Sequence, residues 1–160
     1  MRWMRVLRKL KFIPQARRIE LYPPFWMMRI KVLELNGWRR VRIRLPLTAL
    51  AKNMGGSMFG GYQASLADPI AALACNELFP GYSVFTRTLS LDFRLPGDSD
   101  LELRFEFDAQ IEQQIAADLK LKGRSTPEFE YGLYRSDGKL CTLVHCTVAI
   151  RPLGYRKQLR

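Results

Sequence analysis

Histidine and cysteine are scarce in this chain of 160 residues. It contains one histidine, His145, and three cysteines, Cys75, Cys141 and Cys146. Because the cysteines lack any C-x-x-C spacing, the sequence favours neither a disulfide framework nor a zinc site, and the expected location is a reducing cytoplasm. His145 and Cys146 are neighbours on a predicted strand, so their side chains face opposite sides. We therefore interpret His145 as a sheet-face residue and expect no catalytic Cys–His pair.

Long apolar runs and cofactor motifs are missing as well. No segment approaches the roughly 18 uninterrupted apolar residues of a membrane-spanning helix. Charges interrupt residues 1–11 too often for the apolar core of a signal peptide. The phosphate-binding loop, the dinucleotide fingerprint and the metal-binding helix motifs do not occur. The sequence therefore predicts no metal and no cofactor.

Acidic residues are scarce only in the first third of the chain. Residues 1–52 contain 14 Lys and Arg against 2 Asp and Glu, a net charge of +12, whereas residues 53–160 contain 12 against 13. A basic surface of this kind attracts phosphate groups on nucleic acid, on anionic lipid or on a small polyanion such as coenzyme A. Because no stacking aromatics interleave with the basic residues as in nucleic-acid modules, we expect no nucleic-acid partner.

We divide the chain into a basic segment, residues 1–22, and a single domain, residues 23–160. Apolar residues at helical spacing in the first part predict a basic amphipathic helix that ends before Pro14: Trp3, Val6, Leu7, Leu10 and Ile13. Such a helix is either an arm that touches a membrane surface weakly or binds a partner, or a terminal helix packed on its own domain. We favour the second interpretation because the segment is short.

The rest of the chain predicts one antiparallel sheet and two helices. Residues 29–35 and 38–45 form strands around the hairpin dipeptide Asn36-Gly37, and residues 129–133 and 140–150 form strands around a second tight turn at residues 136–138. Residues 89–95 and 101–107 alternate as two adjacent antiparallel strands with a common core face, and residues 111–121 form a helix that Gly123 terminates. An α+β fold, a sheet wrapped around one long helix, is expected.

That long helix is predicted over residues 58–78, where Asp68 is the first ionisable side chain of an otherwise apolar or small segment. Helices of this composition are normally buried, and an unpaired buried carboxylate costs several kcal/mol or takes a raised pKa, which is typical of functional sites. The alternative is that Asp68 caps a second helical segment beginning at Pro69. A break at this point would fix the position of the carboxylate.

The motifs of this region resemble a known family. Pro23-Pro24-Phe25, Asn53, Phe59-Gly60-Gly61 and Asp68-Pro69 are similar to the pattern of a domain-of-unknown-function family of thioesterases with the hot-dog fold, related to the phenylacetyl-CoA-type thioesterases. The resemblance covers roughly residues 20–152. It implies a curved sheet around a long central helix, with an extra N-terminal helix. In characterised members a His stands where this chain has Phe59.

The resemblance also implies a function, the hydrolysis of an acyl-CoA thioester at a dimer interface, with coenzyme A present only as part of the substrate. Gly60 and Gly61 at the helix start would stabilise the oxyanion, and Asp68 of the other subunit would be a general base or a nucleophile. Asn53 would orient the water or the carbonyl, or alternatively form an Asn turn. Met58, Phe59 and Tyr62 would line the acyl pocket, with core filling as the alternative for Phe59.

Three functions compete on this basis. The first is an acyl-CoA thioesterase that forms a homodimer or a tetramer of two dimers. The second is a non-catalytic protein that binds acyl-CoA or acyl lipid and has lost turnover together with the His. The third is a nucleic-acid or membrane-surface binder that uses the basic segment, and its affinity would fall steeply with salt. The sequence favours the first because a pure binder has little reason to keep Asp68.

Overall fold

The computed structural model describes residues 13–155, so the helix predicted before Pro14 lies almost wholly outside the described residues. The helices are α1 (Gln15–Glu20), α2 (Pro23–Met27), α3 (Gly60–Leu78) and α4 (Ala109–Lys122), and a short 3-10 helix covers Ala49–Ala51. The strands are β1 (Lys31–Asn36), β2 (Arg40–Leu45), β3 (Tyr82–Phe93), β4 (Leu101–Glu106), β5 (Glu128–Tyr134) and β6 (Leu140–Pro152).

The six strands form one antiparallel sheet in the order β1-β2-β4-β5-β6-β3, and α3 packs against β3, β6 and β4. Apolar residues alternate along β2 and β4, so one face of each strand is buried. The sheet face is completed by four aromatic rings, Phe105, Phe107, Phe129 and Tyr131, whose neighbouring centroids lie 5.1 to 6.0 Å apart. The α+β prediction is confirmed.

The β1–β2 hairpin closes as predicted, but its central residues are Gly37 and Trp38. Both have positive φ angles, 53° and 62°, and Arg39 N–H donates to the Asn36 carbonyl at 3.0 Å. Two consecutive residues in the left-handed region define the type I′ turn, whose twist matches that of the flanking strands. The second position therefore holds a buried tryptophan in a conformation that bulky residues rarely adopt.

The prediction that the strands at residues 89–95 and 101–107 are adjacent is wrong. Among the described residues β3 pairs only with β6, and β4 lies between β2 and β5. The loop after β3 leaves the edge and is held by the Cys141 carbonyl, which accepts from Arg94 N–H at 2.9 Å and from Leu95 N–H at 3.1 Å. Leu89 and Leu91 pack partly buried on the same core as β4, whereas Phe93 and Leu95 are exposed. Alternation alone does not report which strands are neighbours.

The long helix is continuous through Pro69, so the alternative of a second helical segment capped by Asp68 is wrong. It is also not buried all round, because Ser65, Asp68, Asn76 and Glu77 are exposed in the single chain. Its buried face consists of Leu66, Ala67, Ile70, Ala71, Ala74, Cys75 and Gln63. Of the helices in the described residues, none is long and apolar enough to cross a membrane.

Candidate active site

The start of α3 is not capped by a side chain. Phe59 is the N-cap and no side chain caps the helix, so the N–H groups of Gly60 and Gly61 form no hydrogen bond with a described residue. Such groups, at the positive end of the helix dipole, bind an anionic or carbonyl oxygen. Both glycines are closely covered: a Cβ at Gly60 would lie 2.9 Å from Phe93 Cζ, and a Cβ at Gly61 would overlap the Phe59 ring.

The loop before the helix is an Asn turn built on Asn53. Its Oδ1 accepts from the N–H groups of Gly55 at 2.9 Å and Ser57 at 3.2 Å, and its Nδ2 donates to Ser57 Oγ at 2.9 Å. In the single chain Asn53 therefore forms the Asn turn that was the alternative to a catalytic role. Its side chain shapes the loop that leads into the first turn of α3, and a catalytic role for Asn53 stays a prediction.

A buried polar pair that the sequence analysis did not single out fixes the same helix turn. Thr142 Oγ1 of β6 donates to Gln63 Oε1 at 2.5 Å, and Gln63 Nε2 donates to the Met58 carbonyl at 3.3 Å. Gln63 and Thr142 are both buried. The signal for Gln63 was present, since an amide in an otherwise apolar helix needs partners. Its partner, 79 residues away, could not be found by spacing.

Asp68 lies on the side of α3 that faces β3, the edge strand. Its carboxylate is exposed in the single chain, so the expected burial is not observed. The Thr86 hydroxyl on β3 donates to the Asp68 carbonyl at 2.8 Å, and the buried Tyr131 hydroxyl donates to the Ala67 carbonyl at 2.7 Å. Burial raises the pKa of Tyr131 far above its ordinary value, so this hydroxyl remains a donor. Two side chains of the sheet thus fix the backbone beneath Asp68.

The single chain does not bring the predicted catalytic groups together. Gly61 and Asp68 are seven residues apart on one continuous helix, about 10 Å along its axis. β3 runs beside both groups, since Phe93 packs on Gly60 and the Thr86 hydroxyl donates to the Asp68 carbonyl. The helix start and the carboxylate therefore lie along the same open edge of the sheet.

The three predicted acyl-pocket residues have different environments. Met58 is buried in the core, Phe59 is 52% exposed and so does not fill core space, and Tyr62 is half-buried. Tyr62 lines a cavity of about 760 Å³ between the helix start and the segment of α1 and α2. Apolar residues of that cavity are joined by three cations and one acid: Arg17, Arg29, Lys31 and Glu20.

His145 is exposed on β6, with its Nδ1 3.5 Å from Glu130 Oε2, while Cys146 is buried on the other face. The interpretation of His145 as a sheet-face residue is confirmed. All three cysteines are buried and free, and burial raises the pKa of Cys75 to about 12. Within residues 13–155, no group of three or more His, Cys, Asp or Glu side chains is placed to hold a metal ion.

The part of the chain that holds the helix start, Asp68 and β3 matches a family model. Residues 55–114 match the model described as the thioesterase superfamily. This segment is therefore similar to the thioesterase superfamily. The hot-dog thioesterase resemblance of the sequence is thereby confirmed, since the described architecture, six antiparallel strands packed on one long helix, is the hot-dog fold.

Solved structures with the same fold carry related descriptions. PA5026 from Pseudomonas aeruginosa, a probable thioesterase of unknown function, is 20% identical with a TM-score of 0.77, over 87% of this chain and 96% of that one. Thioesterase HI1161 from Haemophilus influenzae is 14% identical with a TM-score of 0.69, over 91% and 96%. The Escherichia coli PaaI protein, from the phenylacetic acid degradation operon, is 20% identical with a TM-score of 0.62, over 82% and 86%. The search of curated proteins found no match to this sequence.

Proposed function

We propose that this chain is a metal-independent acyl-CoA thioesterase whose active site forms between two copies at the β3 edge. The observation that carries the proposal is the uncapped start of α3, with free N–H groups at Gly60 and Gly61, inside the segment that matches the thioesterase superfamily. The thioester carbonyl oxygen would accept from these N–H groups, and each such donor is typically worth about 10²–10³ in rate.

A second copy would supply the carboxylate that one copy cannot place. β3 is an edge strand of twelve residues, and an unpaired edge of this length is a template for pairing with another chain. In an antiparallel pair of β3 strands with a two-fold axis at Ser90, the irregularity between Thr86 and Thr88 brings Thr86 of one copy opposite Phe93 of the other. Because Thr86 bonds at Asp68 and Phe93 covers Gly60, that register moves each Asp68 toward the helix start of the other copy.

Asp68 would act there as a general base or as a nucleophile. As a base, its carboxylate takes a proton from water, the resulting hydroxide adds to the thioester carbon, and the oxyanion is held by the glycine N–H groups. Collapse of that intermediate then expels the coenzyme A thiolate and leaves the acid. As a nucleophile, Asp68 would displace the thiolate itself and form a mixed anhydride that water hydrolyses.

The cavity beside Tyr62 suits the polar end of the substrate. Its three cations outnumber its one acid, and two of the cations already pair with that acid: Arg17 at 2.6 Å and Lys31 at 3.6 Å from Glu20. The cavity therefore has a net charge of +2, which attracts phosphates. We propose that it takes the phosphates of coenzyme A, and that exposed Phe59 contacts the acyl group.

Phe59 also supports a second candidate, a non-catalytic acyl-CoA or acyl-lipid binding protein. Its ring packs on Gly61, at the helix start where the family has a His. Such a protein would keep the cavity and the affinity for coenzyme A esters, and it would release no thiol.

The test compares thiol release from short, medium, long and aromatic acyl-CoAs by wild type and by Asp68→Asn, with EDTA present. We expect turnover by wild type and a loss of at least about 10²-fold in Asp68→Asn, because the variant keeps the shape and loses the charge. Glu128→Gln, which removes an exposed carboxylate at the start of β5, should keep full activity. Single turnover in H₂¹⁸O tests the nucleophilic mechanism, since ¹⁸O in the Asp68 side chain would show a mixed anhydride that water opens at the Asp68 carbonyl.

The melting temperature with coenzyme A esters distinguishes the remaining outcomes. Absence of turnover in both proteins, together with an increase in melting temperature, would support the binding protein. Turnover that Asp68→Asn leaves unchanged would refute the assignment of Asp68.

A further inference from the structure

A second cavity, of about 460 Å³, lies on the other half of α3. It is enclosed by α1, α2, the β1–β2 turn and the α3 face that carries Pro69 and Leu73. Leu73 is thirteen residues beyond Gly60, about 20 Å along the helix axis, so this cavity is distinct from the helix start. Its volume falls in the range of small-molecule pockets.

Two buried hydrogen-bond donors on the lining of this cavity have no partner. They are Trp38 Nε1 and Arg18 Nε, and neither atom bonds to a described residue. Trp38 is only 3% exposed, and it is held at φ 62° in the hairpin turn. Tryptophan and arginine side chains can only donate, so the group they lack is an acceptor. A buried donor without an acceptor is costly, which indicates that something fills the site.

The charge of the cavity limits what this acceptor is. The Arg18 guanidinium forms no ion pair with a described residue, whereas Arg135, whose Nε is also buried without a partner, pairs with Asp98 at 3.2 Å. A carboxylate matches the planar guanidinium in two parallel hydrogen bonds. Glu77 is exposed and is the only acidic residue among the described residues that line the cavity. Its charge would repel a doubly charged phosphate more strongly than a single carboxylate.

Most of the remaining lining is apolar or aromatic and includes Ile19, Tyr22, Phe25 and Leu73, while Gln15 and Asn76 are uncharged polar residues. We propose that this cavity binds an apolar monocarboxylate, whose carboxylate accepts from Arg18 and Trp38 and whose hydrocarbon part packs on these four residues. The proposal does not depend on the hydrolytic activity, because it concerns other residues and is tested by binding alone.

The test is calorimetric titration of the full-length protein with octanoate and 4-phenylbutanoate, and with octanamide and octyl phosphate as comparison ligands. We expect one saturable site per chain for the acids, with binding at least about tenfold weaker for the amide, which lacks the charge that strengthens the hydrogen bond. In proton NMR the Trp38 indole N–H signal, assigned by its loss in Trp38→Phe, should shift on addition of acid.

Arg18→Gln should weaken binding by at least about tenfold. Arg124→Gln and Trp26→Phe change the same residue types outside this cavity and should leave affinity unchanged. If Arg18→Gln does not fold, the shift of the Trp38 signal in the wild-type protein tests whether the acid binds in this cavity. The proposal would be overturned if acid and amide bound equally or if octyl phosphate bound more tightly than octanoate. It would also be overturned if the acids did not shift the Trp38 signal, or if the Trp38 N–H contacted only a bound water.

Discussion

Gln63 and Thr142 join the first turn of α3 to the sheet through side chains alone. The Thr142 hydroxyl donates to the Gln63 amide oxygen, and the amide nitrogen holds the Met58 carbonyl in the loop before the helix. The glycine N–H groups of the proposed site follow directly on that loop. Two buried polar side chains therefore position the backbone donors.

Thr142→Val keeps the shape of the side chain and removes the donor. The Gln63 amide oxygen is then buried without a partner, so the free energy of unfolding should fall by about 1–3 kcal/mol. Urea denaturation measures this change. Thr147→Val, at a half-buried position on the same strand, should change stability by less than about 0.5 kcal/mol. Equal stability of the two variants would contradict the role of the pair.

Asp68 shows what sequence can and cannot predict at the scale of one residue. Its position in an apolar helix was correctly read from the segment, but its burial was not, because composition does not report which helix face meets an open sheet edge. Asn53 shows the converse. Its side chain forms the Asn turn through hydrogen bonds to residues at most four positions away. Such a turn can be predicted from the local sequence.

The strand β2 carries a row of three arginines, Arg40, Arg42 and Arg44, and neighbouring strands neutralise part of its charge. Arg42 Nε and Arg104 Nε both donate to Glu102 Oε1 at 2.8 Å, and Arg40 Nε lies 3.0 Å from Glu106 Oε1. Counting charges along the chain assigned the excess to residues 1–52, whereas strand pairing brings acids of residues 101–106 beside it. Only the register of β2 and β4 reveals this.

The hydrogen bond from Arg42 holds the pKa of Glu102 below its ordinary value, against the opposing effect of burial. A carboxylate with a lowered pKa in the folded state stabilises the fold above its unfolded pKa of about 4.3 and loses this contribution as pH falls through the folded pKa. We expect the free energy of unfolding to decrease below about pH 5. Glu102→Gln should lower stability at pH 7 by about 1 kcal/mol and make that decrease shallower, since other carboxylates remain.

Urea titrations between pH 3 and pH 7 measure both effects. Glu128→Gln, which removes an exposed carboxylate without an ion pair among the described residues, is the control and should follow wild type. A Glu102→Gln profile parallel to that of wild type would show that Glu102 contributes no pH dependence.

Element types were predictable where a local signal exists. The hairpin turn, the end of α4 at Gly123 with φ 64°, and the alternation of β2, β4 and β5 all follow from short-range chemistry. β3 begins at Tyr82, earlier than predicted, because its first half does not alternate regularly and contains an irregularity between Thr86 and Thr88. The order of strands depends on long-range packing, and no local pattern in the sequence indicates it.

At the scale of the whole molecule, the proposed site requires two copies, and a residue near the two-fold axis meets its own equivalent. Ser90 is exposed on β3 beside that axis. Wild type should have twice the chain mass of 18.6 kDa in light scattering, or four times if dimers pair. Ser90→Lys should dissociate it, because two lysines opposite each other on adjacent strands repel. Thiol release should fall with dissociation.

Mixing provides the control. Ser90→Asp should also be a monomer, whereas an equal mixture of Ser90→Lys and Ser90→Asp should form dimers through opposite charges and regain activity. Leu33→Lys, on the exposed surface of β1 at the other edge, should remain as wild type. A dimeric Ser90→Lys protein would rule out the proposed register.

β1 gives the sheet a second edge with a different character. It has half the length of β3, its pairing is irregular between Val32 and Glu34, and charged side chains, Lys31 and Glu34, lie along it. Short, bulged and charged edges resist the addition of further strands. If β3 is used up in a two-fold pair, each end of the combined sheet is such an edge. The assembly is then finite by construction, and the protein can be concentrated without growing into fibres.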